Sequence, residues 1–153
     1  MGSRTYYDMA AFWPYSDTPF APPMNDIPKI IFSRNGIKDG VKKDRIEDRP
    51  RVTPTAAVLP SGAEPTVARG DFAEEVGRLK NQPGNFIPAY GGARFAQSLV
   101  ASGLIDEYRL VIPPVALGQG QPLFSGLRSP VDLRLISATP FGSGVVGAVY
   151  KAA

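Results

Sequence analysis

Apolar residues recur along this chain with two periods, and each period marks a different kind of element. Tyr6, Met9, Ala10 and Trp13 share one face of a helix that Thr5 is placed to cap, with Asp8 three residues later and Pro14 as its stop. Phe72, Val76 and Leu79 repeat that spacing behind Asp71-Phe-Ala-Glu74, which has the form of a capping box; Lys80 and Pro83-Gly84 close the helix. A further helix is expected over Gly92 to Ser102, where Phe95/Leu99 and Ala96/Val100 form i,i+4 pairs and Gly103 supplies the C-terminal cap. Short apolar runs with β-branched residues predict strands at Lys29 to Ser33, Thr66 to Ala68, Glu107 to Ile112, Asp132 to Ile136 and Val145 to Tyr150. The last two flank Gly142-Ser-Gly144 and read as an antiparallel hairpin. With the apolar segment Asn85 to Tyr90 before it, the stretch 85–112 reads as a βαβ unit with a right-handed crossover. The sum is an α/β fold: a mixed sheet flanked by helices, parallel at its centre, with an antiparallel C-terminal hairpin.

Two stretches break the periodicity. Residues 14–28, punctuated by Pro14, Pro19, Pro22, Pro23 and Pro28, read as loop, and 35–65 reads as a long loop or insertion rich in Gly, Pro and charge. At 153 residues a single domain over 1–153 is expected.

Composition narrows the chemistry sharply. With neither cysteine nor histidine, the chain has no disulfide, no thiolate or imidazole metal site, no Ser-His-Asp or Cys-His catalytic centre and no imidazole base. Carboxylates, tyrosines, lysines, water or a bound cofactor must do any acid–base work. The formal net charge of +3 is small, and between Lys38 and Arg51 the bases alternate with Asp39, Asp44, Glu47 and Asp48, so nucleic acid is not an expected partner. No apolar run nears the roughly 20 residues that span a bilayer. Without a basic, then apolar, leader at the N-terminus, a cytoplasmic location is the expectation.

Three junctions are candidates for a ligand site, because α/β sheets bind ligands outside the carboxyl ends of their strands. At Gly91-Gly92 the chain starts a helix whose free N–H groups suit an anionic group, and two glycines let a phosphate approach closely. The same pair also suits a turn followed by close helix packing, and both readings stay open at this point. Gly2-Ser-Arg4-Thr5 opens another helix, with a hydroxyl and a guanidinium that serve equally as phosphate ligands or as a cap and a solvated side chain. Ser33-Arg34, at a strand tip, has the donors for a phosphate monoester and the composition of an ordinary polar strand end. Asp106 and Glu107 read as a turn residue and a solvated strand residue; Tyr90, Tyr108 and Tyr150 read as core or edge aromatics.

Taken together, "YGGARFAQSLVASGLIDEYRLVIPPVALGQGQPLF", "GDFAEEVGRLKNQPG" and "KIIFSR" resemble the dihydrofolate reductase-like proteins related to the C-terminal reductase domain of bacterial riboflavin biosynthesis. The likeness runs from Gly2 to Tyr150 apart from 35–65. It implies a dihydrofolate reductase-like sheet with NADPH across the strand ends and a small-molecule substrate. By position, the resemblance gives Gly91, Gly92, Ala93, Arg94 and Phe95 to the pyrophosphate, Arg4 and Thr5 to the cofactor phosphates, and Ser33 and Arg34 to the 2′-phosphate that distinguishes NADP from NAD. It also implies a homodimer.

The resemblance includes departures. Family members are expected to place about fifty or more residues ahead of the arginine-threonine motif, including a first strand and, in dihydrofolate reductase itself, the catalytic carboxylate, whereas Met1 here stands directly before Gly2. Tyr90 stands where the riboflavin enzymes carry an acidic residue. The expected function is therefore an NADPH-dependent reductase of a small heterocyclic, carbonyl or imine substrate, with no proton donor assigned. The alternative is a catalytically incomplete NADP-binding or structural protein of the same fold.

Overall fold

The computed structural model describes residues 1–34, 36–37 and 65–153. Apart from Gly36, Ile37 and Pro65, the expected loop over 35–65 and the charge-alternating stretch from Lys38 to Arg51 lie outside the described residues. The chain divides into two compact units, Met1–Gly92 and Ala93–Ala153, each with its own sheet.

The first unit is built on parallel pairing. Strand β1 (Ile30–Phe32) pairs with β2 (Thr66–Ala68), with Phe32 opposite Ala68. On the other side of β1, Gly2 forms a parallel bridge to Phe32, and the Phe32 N–H donates to the Met1 carbonyl at 2.9 Å. Ile31, at the middle of the central strand, is completely buried, and Ala68, the partner of Phe32, is buried on the neighbouring strand. Because all three segments run the same way, their carboxyl ends emerge on one edge.

Helix α1 (Ser3–Phe12) starts from an extended Gly2 with no side-chain cap. Thr5 thus lies inside the first turn and is not the cap that its spacing with Asp8 suggested. Gly2 tolerates the N-cap position without a side chain, which leaves the Thr5 hydroxyl available to another partner. Pro14 falls in a 3-10 turn over Trp13–Tyr15 and ends the helix as expected. The proline-rich stretch 14–28 is not all loop, because α2 (Ala21–Asp26) forms with Pro22 and Pro23 in its first turn. Proline is tolerated there, where no intrahelical N–H bond is lost. Helix α3 (Phe72–Lys80) starts as its sequence dictates: the Asp71 carboxylate accepts from the N–H groups of Ala73 and Glu74 at 2.9 and 3.1 Å.

The stretch 85–90 forms no strand, so the βαβ unit expected over 85–112 is absent. Pro88 removes a ladder donor from the middle of the run, and Gly84 precedes it with φ +154°. Phe86, in this run, is exposed.

The second unit opens with α4 (Ala93–Ala101), whose Leu99 and Val100 are buried. Gly103, at φ +66°, donates to the Val100 carbonyl, and Leu104 to that of Leu99, closing the helix by the left-handed cap expected of glycine. Its sheet is antiparallel, in the order β3 (Glu107–Ile112), β5 (Val146–Ala152), β4 (Leu133–Pro140). Tyr108, Tyr150 and Leu135 align on one face, and Glu107, Lys151 and Arg134 on the other. Strand β4 runs past Ile136 through polar Ser137 and Thr139, with a bulge between Leu135 and Ser137. Its length is therefore set by pairing with β5 rather than by its own hydrophobicity. The expected hairpin is present, its turn closed by Gly144 donating to the Phe141 carbonyl at 2.9 Å. Parallel and antiparallel pairing are thus both present, in two sheets flanked by helices.

Candidate functional site

The parallel sheet of the first unit sets out three carboxyl ends in a row. Gly2, Phe32 and Ala68 are aligned across it, so the residues just beyond them, Ser3-Arg4-Thr5, Ser33-Arg34 and Arg69-Gly70, share one edge. Two junctions singled out from sequence fall there, and a hydrogen bond ties the third to them: the Gly92 N–H donates to Thr5 Oγ1 at 3.1 Å across 87 residues of sequence.

That bond changes the chemistry of the glycine pair. The Gly92 N–H is not free to meet an anion, as the sequence suggested, because Thr5 accepts it. A hydroxyl has one donor and two acceptor sites, so Thr5 keeps its own O–H to give, and the amide that orients its oxygen also polarises it. Nor does packing demand glycine at 92, since a Cβ added there would meet nothing within 4 Å, and its backbone is not left-handed. The space beside Gly92 is open in this structure.

The other expected residues divide between the units. Gly91 and Gly92 are exposed at the end of the first. Ala93, Arg94 and Phe95 form the first turn of α4 in the second unit, where helix N–H groups lack intrahelical acceptors. Arg94 is exposed, and its carbonyl accepts from Ser98 Oγ at 2.9 Å. Arg4 and Arg34 are exposed, with no ion pair formed to any described residue.

Ser33 is held by its own chain in this structure. Its hydroxyl donates to the Gly36 carbonyl at 2.8 Å, pinning the chain as it leaves β1. With that proton committed, Ser33 offers an anion only lone pairs. Arg69, which sequence reading passed over, stands one step beyond Ala68 on the neighbouring strand, exposed and likewise without an ion pair among the described residues. Its signal was available: it follows a strand directly, as Arg34 does.

The tyrosine that follows Thr5 adds no acid–base group near neutrality. Burial, reinforced by the neighbouring Tyr7 hydroxyl, raises the Tyr6 phenol above its ordinary pKa, so it stays a neutral hydroxyl at physiological pH. Among the described residues no polar or charged side chain is buried, and no group of three or more metal-ligating side chains occurs. No helix among them is long and apolar enough to cross a membrane.

The chain is similar to several known proteins. Residues 2–147 match the RibD C-terminal domain family. Over 80 residues the chain is 46% identical to the uncharacterized protein YyaP of Bacillus subtilis (strain 168), covering 52% of this chain and 43% of that one. Over 68 residues it is 38% identical to YwjB of the same organism, also uncharacterized, covering 44% and 39%. The matched stretches therefore span less than half the length of either relative. A crystal structure from Shewanella sp. PV-4, provisionally named as a riboflavin biosynthesis protein, has the same fold, with a TM-score of 0.62 at 21% identity, over all of this chain and 72% of that one. Matched over residues 2–147, almost its whole length, the chain belongs to the RibD C-terminal domain family.

Proposed function

We propose that this protein binds NADPH at the carboxyl edge of its parallel sheet and acts as a reductase of a small heterocyclic, carbonyl or imine substrate. One observation carries the reading: the Thr5–Gly92 hydrogen bond links two motifs that the family devotes to cofactor phosphates. The residues suit the group. Thr5 has an oriented hydroxyl with a proton to donate, the glycine pair leaves room for a phosphate oxygen, and Arg4 and Arg34 supply positive charge that no described carboxylate neutralises. The bound dihydronicotinamide would supply a hydride, while the protein orients it and excludes water.

Fluorescence titration of the full chain with NADPH and NADH tests the reading, with tighter binding of NADPH expected. Thr5→Val, which keeps the shape and removes the hydroxyl, should weaken NADPH about tenfold, while Thr5→Ser stays near wild type. Failure to bind either nucleotide would refute the proposal. Tight binding without reduction of any substrate of these classes would favour the NADP-binding protein without turnover.

A further inference from the structure

We infer that Arg69 is a second ligand of the 2′-phosphate, closing on it from the strand beside Arg34 and so helping to set the preference for NADPH over NADH. The inference rests on the proposed cofactor site and adds a residue that the family motifs did not supply. Register is its first support. Phe32 and Ala68 are paired, so the chain beyond β1 and the chain beyond β2 leave the sheet side by side, about one strand spacing of ~4.8 Å apart. Ser33-Arg34 and Arg69 are the first side chains past that row. Gly70 follows Arg69 and places no side chain beside it.

Charge is the second support. Two guanidinium-bearing residues emerge at adjacent strand ends, and neither has an ion pair among the described residues. Two of the three acids next along the chain from Arg69 are already engaged. Asp71 accepts from two helix N–H groups, and Glu75 pairs with Arg78 at 2.6 Å. Like charges left together without a counter-charge cost free energy, which a dianionic phosphomonoester would recover through two charge-assisted contacts. The committed hydroxyl of Ser33 is the third support: with its proton given to Gly36, it leaves Arg34 to face a group with three acceptor oxygens, and the register places Arg69 at the end of the neighbouring strand.

The test compares wild type with Arg69→Gln and Arg69→Lys, titrated with NADPH and NADH by fluorescence and with adenosine 2′,5′-bisphosphate and 5′-AMP by calorimetry. Arg69 is exposed, so these variants should fold, and circular dichroism confirms it. Arg69→Gln should weaken NADPH and the bisphosphate roughly tenfold to a hundredfold, leaving NADH and AMP within about twofold; Arg69→Lys should fall between. A wild-type preference for the 2′-phosphate that survives Arg69→Gln overturns the role of Arg69 and leaves the cofactor site standing. A wild type with no such preference overturns both. Equal loss of NADPH and NADH also overturns it, because Arg69 would then serve the nucleotide generally.

Discussion

The two units of this protein are built on opposite kinds of strand pairing, and the difference explains why the candidate ligand residues share one edge. In Met1–Gly92 the paired segments are parallel, so each strand ends on the same edge and hands its next residues to one place. Arg4, Thr5, Ser33, Arg34 and Arg69 meet there, although more than sixty positions separate the first from the last. In Ala93–Ala153 the strands are antiparallel, so their carboxyl ends alternate between opposite edges instead of sharing one. Strands β1 and β2, of three residues each, gather the candidate ligands, whereas the longer strands of the second unit mainly pair with one another.

Core truncation should separate the two most strongly. Ile31 is completely buried on the central parallel strand, so Ile31→Ala should cost about 2–5 kcal/mol in a denaturant titration and weaken NADPH binding through the displaced edge. Leu135, half exposed on β4, should lose less than about 1 kcal/mol as Leu135→Ala, with binding unchanged. Comparable losses at both sites would remove the distinction.

Next in size is a backbone test of the second unit. Gly144 holds φ +82° in the hairpin turn, and a Cβ there would lie 3.1 Å from Pro114 Cγ. Gly144→Ala should destabilise by roughly 1–3 kcal/mol, read as a lower midpoint, while leaving nucleotide affinity intact. A loss of affinity would show that the hairpin supports the site.

The smallest effect belongs to Asp71. Asp71→Ala removes two hydrogen bonds at the start of α3 and should cost about 1 kcal/mol. Because Arg69 would keep its place at the strand end, NADPH affinity should hold.

Local signals were legible wherever one stretch of chain settles its own structure. The Asp71 cap, the Gly103 helix end, the Glu107–Ile112 strand and the hairpin at Gly142-Ser-Gly144 all followed from nearby residues. Readings failed where a distant partner decides. Thr5 looked like a cap because its hydrogen-bonding capacity was matched to the nearest amides; folding gives it the amide of Gly92 instead. Residues 85–90 have the apolar content of a strand, but Pro88 lacks the donor that a ladder needs. Arg69 went unnoticed because its meaning lies in the register with Phe32, which no local pattern carries.

By itself the sequence determined the absence of thiol and imidazole chemistry, the elements with local caps and turns, and the motifs that mark the family, since these depend on residue type and near spacing. Tertiary structure alone decided that Thr5 and Gly92 share a hydrogen bond, that Ser33 spends its proton on Gly36, and that Arg69 stands beside Arg34's strand. Each of those facts is fixed by parallel register and chain reversal, which bring residues together according to the geometry of the backbone rather than their order along it.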